Sequence, residues 1–278
     1  MLCSFKNFLC TCVLALNKGV KEERGKGKLY FSILLPLLLF AFPPLLTAQQ
    51  FSALLITETA GWQHESSFEA IPAIHKLAAR HDFKVELKQK AIRLNDDWLA
   101  KHDVIIMVNT TGNIFNDAEQ AAIEKFIRAG KGWVGVHAAS DTEYDWKWYT
   151  EMVGHMFKIH PVVQTAMVDV HDNTFPGLNT WPKRRMWTDE WYEYKDGTRR
   201  PGFNYLITVD ESTYSTEAQW GDNKSRGHGD FHPVSWYHEY DGGRAWYTNF
   251  GHVPAVFAEK AFLDHLYGGI YWAAKGKK

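Results

Sequence analysis

Cysteine is nearly missing from this chain. All three copies, Cys3, Cys10 and Cys12, fall ahead of position 49. The rest of the chain therefore holds no disulfide, no thiolate nucleophile and no cysteine-ligated metal. A basic excess is missing too. From residue 49 onward, 25 Lys and Arg stand against 30 Asp and Glu. Phosphate backbones call for a positive surface, so nucleic acid is excluded as a partner. Internal repeats, low-complexity tracts and domain linkers are also lacking. The 278 residues, 45% hydrophobic and 23% charged, otherwise have an ordinary globular composition able to bury a sizeable core.

One long uncharged run is present, "LYFSILLPLLLFAFPPLLTA" from Leu29 to Ala48, preceded by Lys18, Lys21, Arg24, Lys26 and Lys28. A basic segment, then an apolar one, then a small residue before a polar one is the order of an export signal. Residues 1–48 are thus expected to be a leader cleaved after Ala48, leaving a periplasmic protein with no membrane span. An uncleaved anchor is the alternative, weakened by Pro36, Pro43 and Pro44 within the run. Met1–Val20 is a longer front than such signals carry, which points to a start codon placed upstream of the natural one.

Beyond the leader, "FSALLIT" has strand length and apolar character. A helical stripe of Phe68, Ile71, Ile74, Leu77 and Ala78 follows, with Ser66 and Glu69 at capping-box spacing. Pro72 fits that helix only if it lies in the first turn. "FKVELK" alternates as a strand, and "DVIIMVNTTG" reads as a strand buried on both faces. "NDAEQAAIEKFIRAGKG" is the clearest helix, capped by Asn116 with Glu119 completing the box, and ended by Gly130. "GWVGVH" is a further buried strand. This alternation of continuous apolar strands with helices predicts a parallel sheet covered by helices. From Val162 the pattern changes to "VVQTAMVDV", "RRMWTDEWYEY", "NYLITVD" and the hairpin "VSWYHEYDGGRAWYTNFG", an antiparallel extension of one domain over 49–278. A closing helix is expected from about Pro254 to Ala274.

Histidine and tryptophan are enriched, at 13 and 12, all of them beyond residue 48. In parallel sheets, sites form at the carboxyl ends of strands. Three histidines are expected there: His64 after the first strand, His137 at the end of "GWVGVH", and His252 after the hairpin. Gly135, Ala138 and Ala139 surround His137 with the small residues of a sharp strand-to-helix elbow. An imidazole there can be a base, an acid or a metal ligand; alternatively it is a hydrogen-bonded structural residue. Asp189 and Glu190 lie in an aromatic strand and alternate, so at most one enters a given pocket. Asp141 could orient an imidazole but reads more readily as a turn residue. "GHMFKIHP" adds His155 and His160, and the His228/His232 pair has H-x-x-x-H spacing that would suit a metal only on a helix, which its glycines argue against. Of the tryptophans, Trp62, Trp146, Trp148, Trp191 and Trp236 are the notable ones, some beside candidate histidines, where flat faces suit sugar rings.

"GWQHES", "FIRAGKGWVGVHAASD", "MVGHMFKIHP", "DEWYEY" and "GGRAWYTNFGH", in this order, resemble the trehalose-utilisation (ThuA-like) family over essentially all of Phe51–Lys278. The resemblance implies an α/β, flavodoxin-like sheet similar to class I glutamine amidotransferases, with His137 where those enzymes carry the elbow cysteine. It also implies handling of oxidised (3-keto) sugars or glycosides, and it marks His64, His137, His160, Glu190 and His252, which selects Glu190 over Asp189. The expectation is an exported hydrolase, lyase or isomerase acting on a small carbohydrate. In it His137 and Glu190 move protons, and His64, Trp62, His160, Trp191 and His252 bind substrate. The one cofactor the residues suggest is a divalent metal such as zinc on His64, His137 and His252. The competing readings are a non-catalytic sugar-binding module and a cysteine-free amide hydrolase.

Overall fold

The computed structural model describes residues 49–277 apart from Ala91; the leader expected over residues 1–48 lies outside them. A nine-stranded sheet forms the centre. Its strands are β1 (Ser52–Ile56), β2 (Lys84–Leu87), β3 (Val104–Val108), β4 (Gly132–Val136), β5 (Gln164–Val170), β6 (Arg184–Asp189), β7 (Asn204–Asp210), β8 (Pro233–Tyr240) and β9 (Gly243–Thr248). The order is β2-β1-β3-β4-β9-β8-β7-β5-β6, parallel from β2 through β9 and antiparallel beyond. Its first four strands follow the 2-1-3-4 order of flavodoxin-like sheets. The expected α/β architecture, with an antiparallel extension, is therefore the one observed.

The parallel strands are apolar on both faces because each face has its own core. Ala53, Leu55, Val104, Ile106, Val134 and Val136 point to one side. There they meet helices α1 (Ser67–His81) and the C-terminal helix Lys260–Lys275. Leu54, Ile56, Ile105, Met107 and Trp133 point to the other, toward α2 (Asp117–Arg128) and α3 (Lys147–Val153). In α2 the capping box forms as expected: Glu119 N–H donates to Asn116 Oδ1 at 3.0 Å, and Asn116 N–H to Glu119 Oε2 at 3.1 Å.

Helix α1 departs from expectation in three ways. Ser66 stands at its N-terminus but makes no side-chain cap. Its hydroxyl instead donates to the Gly251 carbonyl and accepts from Asn109 Nδ2, both at 2.8 Å, so a long-range tie displaces the local one. Phe68 is 65% exposed, because Ala70, Ala73, Ile74, Leu77 and Ala78 carry the buried stripe. Pro72 sits past the first turn, and the carbonyl it leaves unpaired belongs to the exposed Phe68, where water can serve it. Further on, "RRMWTDEWYEY" is not one strand. It breaks after Asp189 and resumes as the short pair Glu193–Tyr194 against Phe157–Ile159. The terminal helix is likewise two pieces, a 3-10 turn Pro254–Ala258 and the α-helix Lys260–Lys275, here α4. Among the described residues, no helix is long and apolar enough to cross a membrane.

Candidate functional site

Strands β1, β4 and β9 run parallel, so the segments leaving their carboxyl ends share one edge of the sheet. His64, His137 and His252 leave from those three ends. Their ring centroids stand 4.9 Å (His64–His137), 5.4 Å (His64–His252) and 5.1 Å (His137–His252) apart. The three histidines are therefore neighbours, as the sheet rule requires.

Each is held by identifiable contacts. The His64 loop is clamped by Thr111, whose hydroxyl donates to the Trp62 carbonyl at 2.8 Å and whose own carbonyl accepts from Ala60 N–H at 2.7 Å. His137 begins a 3-10 turn with φ of 51°, a left-handed backbone that costs a non-glycine residue about 1 kcal/mol or more. The hydroxyls of Tyr247 (2.7 Å) and Ser140 (3.3 Å) donate to its carbonyl and hold the elbow. Gly135 is small for a reason other than the turn: a Cβ there would lie 2.2 Å from the Trp133 ring. Gly251, at φ of 124°, lets the chain pass Val136 on its way to His252.

Glu190 reaches this group through its neighbour. Four antiparallel pairings return β6 to the direction of β9. Asp189 then accepts N–H bonds from Gly251, His252 and Val253 at 3.0–3.2 Å, and from Glu190 at 3.0 Å. That fully buried carboxylate staples the two segments together. Glu190, itself 3% exposed, comes to lie among imidazoles. Its Oε2 is 3.1 Å from His252 Nδ1 and 3.4 Å from His137 Nε2, and its Oε1 is 3.0 Å from His160 Nδ1.

Above this floor opens a cavity of about 350 Å³, lined by Trp62, His64, Asp141, Phe157, His160, Glu190, Tyr192, Trp220 and His252. The volume is near the lower end of the usual small-ligand range of about 300–1,000 Å³. Burial and the adjacent His137 and His252 lower the His64 pKa to about 3, keeping it neutral. Burial also lowers His160. Burial alone would raise Glu190, but the imidazoles of His137 and His252 outweigh it and hold the carboxyl well below its usual range. Asp141 is raised by burial, although the Tyr144 hydroxyl donates to it at 2.6 Å.

His137 differs from the other candidates in position. It is fully buried and lies under the cavity rather than on its wall. Its Nδ1–H donates to the Asn249 carbonyl at 2.8 Å, which leaves Nε2 as the lone-pair nitrogen facing His252 Nδ1 at 3.2 Å. The expectation for Trp191 is overturned. That ring is fully buried in the core with its indole N–H on the Gln164 carbonyl. Once the strand ends at Asp189, alternation no longer applies, and Tyr192 takes the place in the pocket. Trp236 is core as well, and Trp146 stacks on Trp148 and Tyr149 away from the cavity lining. His155, His228 and His232 are bound into structural networks. Phe157, Tyr192, Trp220 and Asn249 went unnoticed in the sequence; "WYEY" and "NFGH" contain two of them beside singled-out residues.

The four side chains of His64, His137, Glu190 and His252 each offer one donor atom, all within 4.8 Å of one another. This set can hold a metal or polarise a substrate oxygen. The profile of the trehalose-utilisation (ThuA) family matches residues 52–273. This chain belongs to the trehalose-utilisation family. A solved ThuA-like protein from Bacteroides uniformis is similar at 23% identity and a TM-score of 0.68, covering 83% of this chain and 94% of that one. One from Parabacteroides merdae matches at 16% identity and 0.61, covering 82% and 91%. A β-galactosidase from Bacillus circulans shares the fold at 10% identity and 0.52, over 83% of this chain and 32% of its own. No curated protein sequence matches the chain.

Proposed function

We propose that this trehalose-utilisation family member is an exported enzyme that transfers protons on a sugar or keto-glycoside. The observation that carries the reading is the floor itself: a buried carboxylate ringed by imidazoles, opening into a cavity with aromatic walls. Trp62, 72% exposed, and Trp220 offer ring faces at the mouth, where the C–H face of a pyranose packs well. The imidazole N–H groups of His64 and His252 bind and polarise a carbonyl oxygen, while the Glu190 carboxylate holds the His252 ring in place. A carbonyl acidifies the neighbouring C–H, so one base then suffices to start elimination or isomerisation. His160 is that base. Its Nδ1 faces the Pro161 carbonyl at 2.8 Å, so Nε2 keeps the lone pair. His137, beneath the floor, sets the position of Glu190 and His252. This moves the direct proton role from His137 and Glu190, where the sequence suggested it, to a residue on the cavity wall.

Purified protein is to be screened against oxidised and ordinary glycosides. His160→Ala should lower turnover on the order of 10²- to 10⁴-fold while sugar affinity stays within about tenfold. Sugar binding by the wild type without any turnover across the panel would instead make the chain a binding module. Export is the second part of the reading, supported by the basic-then-apolar order of residues 18–48. Native protein should begin near Gln49, and N-terminal sequencing that finds Leu29–Ala48 retained would reject it.

A further inference from the structure

We infer that the floor of this pocket is a binding site for one divalent first-row transition metal. His137 Nε2, His252 Nδ1, Glu190 Oε2 and a nitrogen of His64 are its ligands. This deepens the enzymatic reading, rests on the same pocket, and adds Glu190 to the three histidines as the anionic ligand.

The first argument is spacing. Around a metal with bonds of about 2.0–2.1 Å, neighbouring donors stand about 3.3 Å apart in a tetrahedron and about 3.0 Å apart in an octahedron. The three distances here are 3.2 Å between His252 and His137, 3.1 Å between His252 and Glu190, and 3.4 Å between His137 and Glu190. Three donors already form one face of a coordination polyhedron. His64, farther off but with its donor within 4.8 Å of the rest, closes in as the fourth.

The second argument is unmet bonding. Glu190 Oε2 and His64 Nδ1 are buried and have no hydrogen-bond partner. Glu190 Oε2 lies 3.1 Å and 3.4 Å from two imidazole nitrogens but makes no aligned hydrogen bond with either. Burying such atoms unpaired costs about 1–3 kcal/mol each, more for a charged group. A cation at their centre satisfies them together.

The third argument is the surrounding shell. Metal-bound imidazoles donate their other N–H to a carbonyl or carboxylate, which fixes the tautomer. The Asn249 carbonyl does this for His137. On the free side of Glu190, His160 stands 3.0 Å from Oε1 and orients the carboxylate. Three imidazoles and one carboxylate suit zinc, manganese, iron, cobalt or nickel rather than calcium or magnesium. The cavity lies on the open side of the site, so a substrate with a carbonyl oxygen beside a hydroxyl, as in an oxidised sugar, presents two oxygens for the ion to take.

The test uses the full purified chain, stripped with a chelator and titrated separately with Zn²⁺, Mn²⁺ and Co²⁺ by calorimetry and elemental analysis. One ion per chain is expected, with a Co²⁺ visible spectrum of nitrogen and oxygen ligation. Glu190→Gln and, independently, His252→Ala should weaken binding at least 100-fold. His228→Ala, at a histidine that accepts from Tyr194 N–H away from the pocket, should leave it within about threefold. Circular dichroism identifies any variant that fails to fold, and His64→Ala then replaces it. Substoichiometric binding, or full binding that survives these changes, overturns the proposal. Turnover by protein that takes up no ion would sink the metal site and leave the enzyme standing; one bound ion per chain without turnover would do the reverse.

Discussion

Among the described residues, two clusters of buried histidines are built on opposite terms. In the group formed by His155, His232 and His238, every ring nitrogen has a polar protein atom within 3.1 Å. His155 bonds the Asp196 carbonyl and the Tyr205 hydroxyl. His232 stands between the Glu211 carboxylate and the Tyr192 carbonyl, and His238 between the carbonyls of Glu239 and Met152. In the group around Glu190, His64 Nδ1 and Glu190 Oε2 have no hydrogen bond at all. The first group is met by partners from its own protein. The pocket group keeps bonding capacity for something else, as the buried His265 Nδ1 also does in the core, and folding bears the expense.

The widest separation between the groups should appear on truncation. His232→Ala strands the Tyr192 carbonyl and part of the buried Glu211 shell, and should lower stability by about 3 kcal/mol, on the order of 10 °C in Tm. His64→Ala removes an unpaired atom and should leave Tm within about 2 °C of the wild type. Differential scanning calorimetry of both decides the matter. If the two losses are equal, unmet bonding does not mark the site.

Acid should probe the saturated group. Burial lowers the pKa of His155 and that of the nearby His228 to about 4, from 6.5 when free. The folded state therefore favours neutral rings. Above about pH 6.5 neither state takes up the proton and the stability is fully present. As the pH falls toward 4 the unfolded chain binds protons that the native chain refuses, and stability declines. His155→Gln should flatten that decline between pH 6.5 and 4 in urea titrations, even if it lowers stability at pH 8. An unchanged slope would mean that other groups govern acid unfolding.

The smallest effect sharpens the comparison from the backbone side. His137→Gly should be more stable than His137→Ala by about 1 kcal/mol, because glycine accepts the left-handed conformation freely. At an ordinary strand or helix position the order is reversed. Equal midpoints in guanidinium would show that the elbow is not strained.

Much of this was readable in the sequence because it is local or periodic. The doubly apolar strands declare a two-sided parallel sheet, and the Asn116–Glu119 box declares its helix. The carboxyl-edge rule is enough to gather His64, His137 and His252. What escaped depends on tertiary context. Ser66 has the local signal of a cap but is drawn away by Gly251 and Asn109. Trp191 and Tyr192 exchange places because the strand ends at Asp189, five residues before the aromatic run does. Trp220 reaches the cavity on a pair of two-residue strands, Gln219–Trp220 and Asn223–Lys224, too short to leave any periodic trace. Asn249 acts through its carbonyl, which side-chain patterns cannot reveal.

The staple at Asp189 has a consequence for how the protein matures. It joins the end of β6 to the turn after β9, and through it the pocket draws on residues from His64 to His252. No stretch of chain released early during synthesis contains a working pocket, and no fragment cut within that span can keep one. The pocket is complete only when the last strand docks. If the chain, exported as proposed, travels unfolded, its pocket assembles only after the crossing.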